Sequence, residues 1–580
     1  MKQICRRVMN LLSVAFIAAM SVSMIACSDD EEVKINALNS PDVNVVYRSE
    51  SVNVTWKEVA NADGYVYVFD GGAEQATTAT ALTIDGLRYG SSHTLKIKAV
   101  DSSKSFADSP WYETAFTLNT AFTLGDITLS VSNQTESSFV VSWNAAEGAE
   151  YYEVALATSS TIERVNGLQK EFTGLSEGVY HVRVRPATSD ADYAPAAWVR
   201  IKAKTQESIA DELAANSYLI EEAGAYTFAP FKGNSGEAVE NIAGVGLLWQ
   251  DTPGLITEVG MVDSKVRFAV AEGVYGNAVV YAYGADGNDK ALWSWHIWVP
   301  EQQIESLPMI TGFNVMNMNL GATTAAAADV NAFGLAYQWG RKDPFTGAPT
   351  LTGNTSTLAK PIYNIDGEEG EFDAVMTPQS VEFAIANPAT FISPYGVDYA
   401  DWCSTSDDAL WGNPDGNYRE QGSLKYYNLG EKSMYDPCPA GWRVPPIMAF
   451  SKFTSTGAAV IGNYASTAVA DRNGDGVVDT NDYNCGYYMT VSGNTTTFFP
   501  AASRWYGAYA ALYGTGIGHS GVYWSNSIYK SSISSQAESK MATACLNFMS
   551  PAYAGTCFVS ANAGGARADA SPVRCVADKE

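Results

Sequence analysis

The chain of 580 residues is too long for one core, and its 46% hydrophobic and 17% charged residues are those of a folded protein of about four domains. A formal net charge of −27, from 63 acidic against 36 basic side chains, excludes a phosphate-backbone binder, so no nucleic-acid partner is expected. With 32 Tyr, 14 Trp and 49 Gly, the composition suits many short strands joined by tight turns.

The chain opens on Lys2, Arg6 and Arg7, followed by an apolar run from Leu11 to Ile25 that is short for a membrane span. Met24-Ile25-Ala26-Cys27 then resembles a bacterial lipobox. The resemblance implies a signal peptide over 1–26 and a lipid on Cys27; an ordinary signal peptide with an incidental Cys is the alternative. Residues 27–36 form an acidic tether. Its Ser28-Asp29-Asp30-Glu31-Glu32 resembles the surface-export signal of Bacteroidota lipoproteins. That implies an outer-membrane location facing the extracellular side, with the lipid anchor as the sole membrane contact.

Two similar segments follow, with a period of about 90 residues. In the first (37–120), Val52-Asn53-Val54-Thr55-Trp56 alternates as a strand ending in Trp. Tyr65 to Phe69 and Leu95 to Ala99 read as later strands. In the second (121–205), Phe139 to Trp143, Tyr151 to Val154 and Tyr180 to Val184 repeat the pattern. Both resemble fibronectin type III domains, through the early-strand Trp and the Leu-x-x-Gly-x-Tyr lead into a late strand. Tyr180 stands as a tyrosine corner in the second; His93 stands at that place in the first. Such modules are expected to act as spacers.

The third segment (206–300) reads as a β-sandwich, with strands at Gly246 to Gln250 and Asn277 to Tyr283. It closes on Leu292 to Val299, where period-two alternation puts Trp293, Trp295, Ile297 and Val299 on one face and Ser294, His296 and Trp298 on the other. A strand so rich in Trp is either a carbohydrate platform or a core strand packed on both sides, and burial statistics favour the core.

The last segment (301–580) carries FNVMNMNLGA from Phe313, GLAYQWGRKDPF from Gly334, YDPCPAGWRVP from Tyr435, FFPAASR from Phe498, VYWSNS from Val522 and SPVRCV from Ser571. These pieces, in this order, resemble the major-paralogous-domain family first named from Fibrobacter, widespread in Bacteroidota surface lipoproteins. The segment 206–300 resembles the β domain that often precedes it. The family is similar to C-type-lectin-like and formylglycine-generating-enzyme folds. The implied fold class is mainly β and multidomain: tandem β-sandwiches followed by a mixed α+β lectin-like domain. In lectin-like folds a disulfide ties the first helix to the last strand, which fits Cys438 and Cys575. Cys545 and Cys557 flank an expected hairpin and could pair across it; Cys403 and Cys485 would remain. Ile447, Phe450 and Phe453 recur at helical spacing after Pro446.

One stretch of this segment, ADRNGDGVVDTNDYN, has the spacing of a calcium loop. Asp471, Asn473, Asp475, Asp479 and Asp482 occupy the ligating positions, Val477 offers its carbonyl, and Gly476 allows the bend. Its flanks read as strands rather than the two helices of an EF-hand, so calcium is expected as a clip on a long loop. An acidic solvent turn is the alternative.

No catalytic set emerges. His93, His181, His296 and His519 are scattered, no GxSxG elbow is present, and no close Cys pair matches the formylglycine-generating enzymes. Trp505, Tyr506, Tyr509, Tyr513, Tyr523 and Trp524 cluster amid Gly and Ser, as flat faces for sugar rings would. Of these, Trp505, Tyr506, Tyr523 and Trp524 are the candidate ligand-binding residues. The expectation is a surface lipoprotein for extracellular recognition or adhesion, bound to a glycan or a surface protein, and not an enzyme. A structural part of a surface assembly or fimbrial tip is the alternative, and an enzyme of the formylglycine-generating fold comes third.

Overall fold

Alternating apolar residues set the first sheets. The computed structural model describes residues 35–47, 51–88, 90–118, 122–190, 192–287, 290–353, 359–394, 401–416, 428–453, 468–507, 511–512, 516–528, 543–554 and 558–578. They fall into two compact units, one of the described residues up to Gly125 with those of Glu147–Glu150 and Ala187–Ala196, the other of the described residues within Asp126–Ala146, Tyr151–Pro186 and from Ala197 onward.

In the first unit, Val43–Tyr47, Ser51–Trp56 and Ala81–Asp85 form a three-stranded antiparallel sheet. Gln75–Thr77, Gly64–Phe69, Ser92–Val100 and Tyr112–Thr117 form a four-stranded one. Val52, Val54 and Trp56 from the first sheet pack with Leu95, Ile97 and Phe116 from the second, a sandwich core built on period-two alternation. His93 donates or accepts at both ring nitrogens, 2.7 Å from Asp70 Oδ2 and 2.6 Å from Ser91 Oγ, so a local polar bridge stands where the repeat has Tyr.

The second sandwich repeats the plan. Gln169–Phe172, Ser138–Trp143 and Leu129–Thr135 pair in one sheet; Glu163–Val165, Tyr151–Leu156, Val179–Ala187 and Val199–Lys204 pair in the other. Here Tyr180 does form a corner, its hydroxyl donating to the Ser176 carbonyl at 2.8 Å.

Beyond it, the strand Ala291–Val299 lies inside a six-stranded sheet, between Gly276–Tyr283 and the parallel strand Ser217–Leu219. Its two faces are both buried. Trp293, Trp295, Ile297 and Val299 enter one core with Phe228 and Phe268. Trp298 enters another with Met316, Leu320 and Trp339. The same sheet continues through Gly244–Gln250 to Ile362–Tyr363 and Glu369–Gly370, so both the hydrogen bonding and the second core run across residue 300.

The C-terminal part is a set of small sheets with very short helices, Val381–Ala386 among them. The spacing after Pro446 does give a helical turn, a 3-10 segment Ile447–Phe453 that buries Ile447, Ala449, Phe450 and Phe453. The end of the chain closes the body: Val576 pairs with Val315 on one side and Arg443 on the other. Beside it Cys438 and Cys575 are joined, the pair the lectin-like resemblance implies.

Candidate functional site

The C-terminal motifs converge in space, and what they build is a polar core. Arg574 of SPVRCV is fully buried. Its Nε donates to Asn319 Oδ1 at 2.7 Å, its Nη1 to the Met316 carbonyl at 3.2 Å and its Nη2 to the Phe498 carbonyl at 2.6 Å. The guanidinium also lies 4.3 Å from the centre of the Phe499 ring. One side chain thus ties FNVMNMNLGA, FFPAASR and SPVRCV together. Burial pulls its pKa down to about 10, which leaves it charged at neutral pH. Two of the other three motifs, GLAYQWGRKDPF and VYWSNS, interlock through indoles: Trp524 Nε1 donates to the Tyr337 carbonyl at 2.7 Å, and Trp339 Nε1 to the Ser525 carbonyl at 2.8 Å. The YDPCPAGW turn is held by Lys432, whose ammonium donates to the carbonyls of Cys438, Pro439 and Trp442 at 2.8, 2.7 and 2.6 Å. All three of its donors are used.

This arrangement removes the aromatic platform. Tyr523 and Trp524 are fully buried and Trp505 is 6% exposed. Trp505 stacks on Phe391 with ring centres 5.3 Å apart and donates to the Thr346 carbonyl at 2.9 Å. The Tyr523 hydroxyl donates to the Pro500 carbonyl at 2.7 Å. Rings with no free face cannot stack on a sugar, so these three are core residues; the half-buried Tyr506 lies beside them with Arg504 5.6 Å from its ring centre. Tyr509 and Tyr513 lie outside the described residues, as does Cys27.

The acidic loop is folded on its own backbone. Asp471 accepts from the N–H groups of Gly474 and Gly476, both at 2.7 Å, and Asp475 from that of Val477 at 2.8 Å. Asp479 caps a 3-10 turn, accepting from Asn481 N at 2.7 Å. Asp482, 3% exposed, reaches back across the loop to accept from Arg472 N at 2.6 Å and Asp479 N at 3.0 Å. Burial pushes the Asp482 carboxyl up, but the N–H groups of Asp479, Arg472 and Asn473 outweigh it and hold the carboxyl below its ordinary range. Asp482 Oδ1 takes two of these N–H groups, whereas each Asp471 oxygen accepts one and keeps a lone pair that a hard cation would use. In residue type and spacing these donors are the oxygens that calcium would require. Among the described residues no three His, Cys, Asp or Glu side chains are gathered at coordinating distance.

No family model matches this chain. No curated protein matches it either. Solved structures do. A two-domain fibronectin type III segment from chicken tenascin is 22% identical, covers 29% of this chain and 100% of that one, and has a TM-score of 0.20. The FN1–FN3 domains of chicken CNTN1 are 18% identical over 30% of this chain and 69% of theirs, with a TM-score of 0.14. The fn3 domain of human collagen alpha-1(XX) is 14% identical over 16% of this chain and 96% of its own, with a TM-score of 0.14. These neighbours are fibronectin type III proteins. None of these likenesses assigns a role to a residue of this chain.

The sequence left the pairing of the remaining cysteines open. Cys403, Cys485 and Cys545 are free thiols; Cys557, with which Cys545 could have paired, lies outside the described residues. Cys545 sits opposite Ala563 on the neighbouring strand, inside the core, and burial pushes its thiol up to about 12, which leaves it inert.

His296 of the Trp-rich strand is buried, and beside that strand lie Lys342 and Asp343, which sequence reasoning passed over. His296 is 1% exposed, 2.9 Å from Ser217 Oγ through Nδ1 and 2.9 Å from Asn277 Oδ1 through Nε2. The Asn277 amide donates to Asp251 Oδ2 and to the Gly321 carbonyl, so Nε2 of His296 carries the proton. Lys342 and Asp343 form a buried pair at 2.7 Å, and Ser294 Oγ donates to Asp343 at 2.6 Å. The one local signal was the run Arg341-Lys342-Asp343, three charges inside an otherwise apolar motif.

Proposed function

We propose that this protein is a cell-surface lipoprotein, held to the outer membrane through Cys27 and facing outward, whose work is recognition of a glycan or a surface protein rather than turnover. The observation that carries the reading is the Cys438–Cys575 disulfide, a bond that persists in oxidising, exported compartments and rarely in the cytosol. The leader that resembles a lipobox and the tandem β-sandwiches that suit a spacer support the same reading. Calcium belongs to it as a clip: Asp471, Asn473, Asp475, Val477, Asp479 and Asp482 would hold the ion, which would offset the repulsion among the loop's carboxylates and stiffen the chain there.

The test is direct. Labelled palmitate or glycerol incorporated in cells should follow Cys27 and disappear in Cys27→Ala, and protease added to intact cells should remove the protein. The purified mature chain should then bind immobilised glycans or surface proteins. Retention in an isolated surface assembly with no ligand binding would instead make it a structural component, and turnover of a substrate would make it an enzyme.

A further inference from the structure

Where the sandwich strands end against the C-terminal body, a cleft of about 410 Å³ opens. That is the size of a small-ligand site. Asp251, Thr252 and Tyr275 line it from the sandwich, and Asn331, Lys360 and Tyr363 from beyond residue 300. Glycine lets two of these side chains sit close to the strand: a Cβ on Gly276 would stand 2.4 Å from Asp251 Oδ1 and 2.6 Å from Thr252 Oγ1.

Its polar groups are only partly engaged. Asp251 is held from behind, accepting from Asn277 N and Asn277 Nδ2, each at 2.7 Å, and from Thr252 Oγ1 at 3.2 Å. The Lys360 ammonium has three N–H donors, and among the described residues its one hydrogen-bond partner is Asn331 Oδ1 at 2.9 Å. Contrast Lys432, whose three donors all meet carbonyls. A half-buried ammonium with two unused donors needs either water or a ligand oxygen.

The chemistry of the occupant follows from the mixture. An apolar ligand would leave the ammonium and carboxylate unpaired at a cost. A phosphate or a strongly acidic ligand would meet Asp251 and Glu301 in the cleft and a chain of net charge −27 around it. Groups that both donate and accept satisfy Lys360, Asp251 and Thr252 together, and vicinal hydroxyls do so. Tyr275, 42% exposed at the rim, and Tyr363 offer ring faces for C–H groups.

We propose that this cleft is a saccharide-binding site, with Lys360 and Asp251 meeting ring hydroxyls and Tyr275 stacking at the rim. It rests on the recognition reading above and moves the sugar site from the buried Trp505, Tyr523 and Trp524 to the seam between sandwich and C-terminal body. Because both sides contribute, neither 206–300 nor 301–580 alone would hold a complete site.

The experiment screens the full mature chain on a glycan array and measures the strongest binder by calorimetry. Tyr275→Ala, on an exposed residue that leaves the core untouched, and Lys360→Met should each weaken binding at least tenfold, with unfolding temperatures checked alongside. Trp505→Phe should bind as the parent does. A chain that binds its glycan while Tyr275→Ala and Lys360→Met change affinity less than twofold overturns the cleft and leaves recognition standing. A chain that binds no glycan overturns the cleft and the glycan limb of the recognition reading together.

Discussion

Single residues carry much of the order in the C-terminal body, and they are cations hydrogen-bonded to backbone. Lys432 and Arg574 donate to backbone carbonyls, with a ring face beside Arg574 and the Asp436 and Asp578 charges acting on Lys432 through space, which fixes loop backbone as well as charge. Lys432→Met would leave the carbonyls of Cys438, Pro439 and Trp442 without a donor. Urea unfolding should show a loss of about 3 kcal/mol, an effect of hydrogen-bond loss in a buried setting. His296 gives a pH signature. Burial pulls its pKa from 6.5 to about 3, so the unfolded chain takes up a proton that the folded one refuses. Its contribution is present above pH 6.5 and is lost as pH falls toward 3. In His296→Gln, the slope of stability against pH in that window should be shallower by up to about 1.4 kcal/mol per unit. Equal slopes in parent and variant would mean that the imidazole is charged in the fold.

At the scale of elements, the repeat is legible to the atom. Trp56 and Tyr65 meet at 5.2 Å in the first sandwich, and Trp143 and Tyr152 at 5.3 Å in the second. Tyr65 accepts from Val59 N at 3.0 Å, and Tyr152 accepts from Ala146 N at 2.9 Å. Even the shortcoming repeats: neither Trp56 nor Trp143 has a hydrogen-bond partner for its indole N–H among the described residues. These features follow the sequence because alternation and a tight turn place both residues locally. The Tyr180 corner is a further case, and Tyr180→Phe should cost about 1 kcal/mol in thermal or urea unfolding. The acidic loop is an element of another kind, since its backbone geometry is self-sufficient while its charges are not. Millimolar calcium should raise the unfolding temperature by several degrees, and Asp475→Asn should abolish the rise. If the intact chain melts at the same temperature with and without calcium, the clip is wrong.

At the scale of the molecule, the Cys438–Cys575 link spans a sequence separation of 137 and joins the YDPCPAGW turn to the closing strand. Chain-entropy reasoning gives it about 5 kcal/mol, more than most single contacts here. The Cys438→Ser, Cys575→Ser double variant should therefore unfold at markedly lower urea concentration, and reduction of the parent should reproduce the shift. Sandwich and C-terminal body meet in one sheet from Ser217–Leu219 to Glu369–Gly370 and one core around Trp249, Trp298 and Trp339, so loss of the link should be felt on both sides of residue 300.

What the amino-acid order alone determined is what local geometry dictates. The strands follow from alternation, the two similar segments from their period of about 90 residues, the helical turn from Ile447, Phe450 and Phe453, and the acidic loop from its spacing. The two faces of Leu292 to Val299 were also readable, because period two is a property of the strand itself. Whether a face meets solvent or a second core depends on what packs there from far along the chain. Trp505, Tyr523 and Trp524 look alike in sequence whether they are exposed or buried, and they are buried only because Thr346, Pro500 and Tyr337 supply carbonyls beside them. Asp251 and Lys360 carry no motif at all. Only the tertiary structure brings them to one cleft, and only there does a carboxylate next to an under-used ammonium become chemistry.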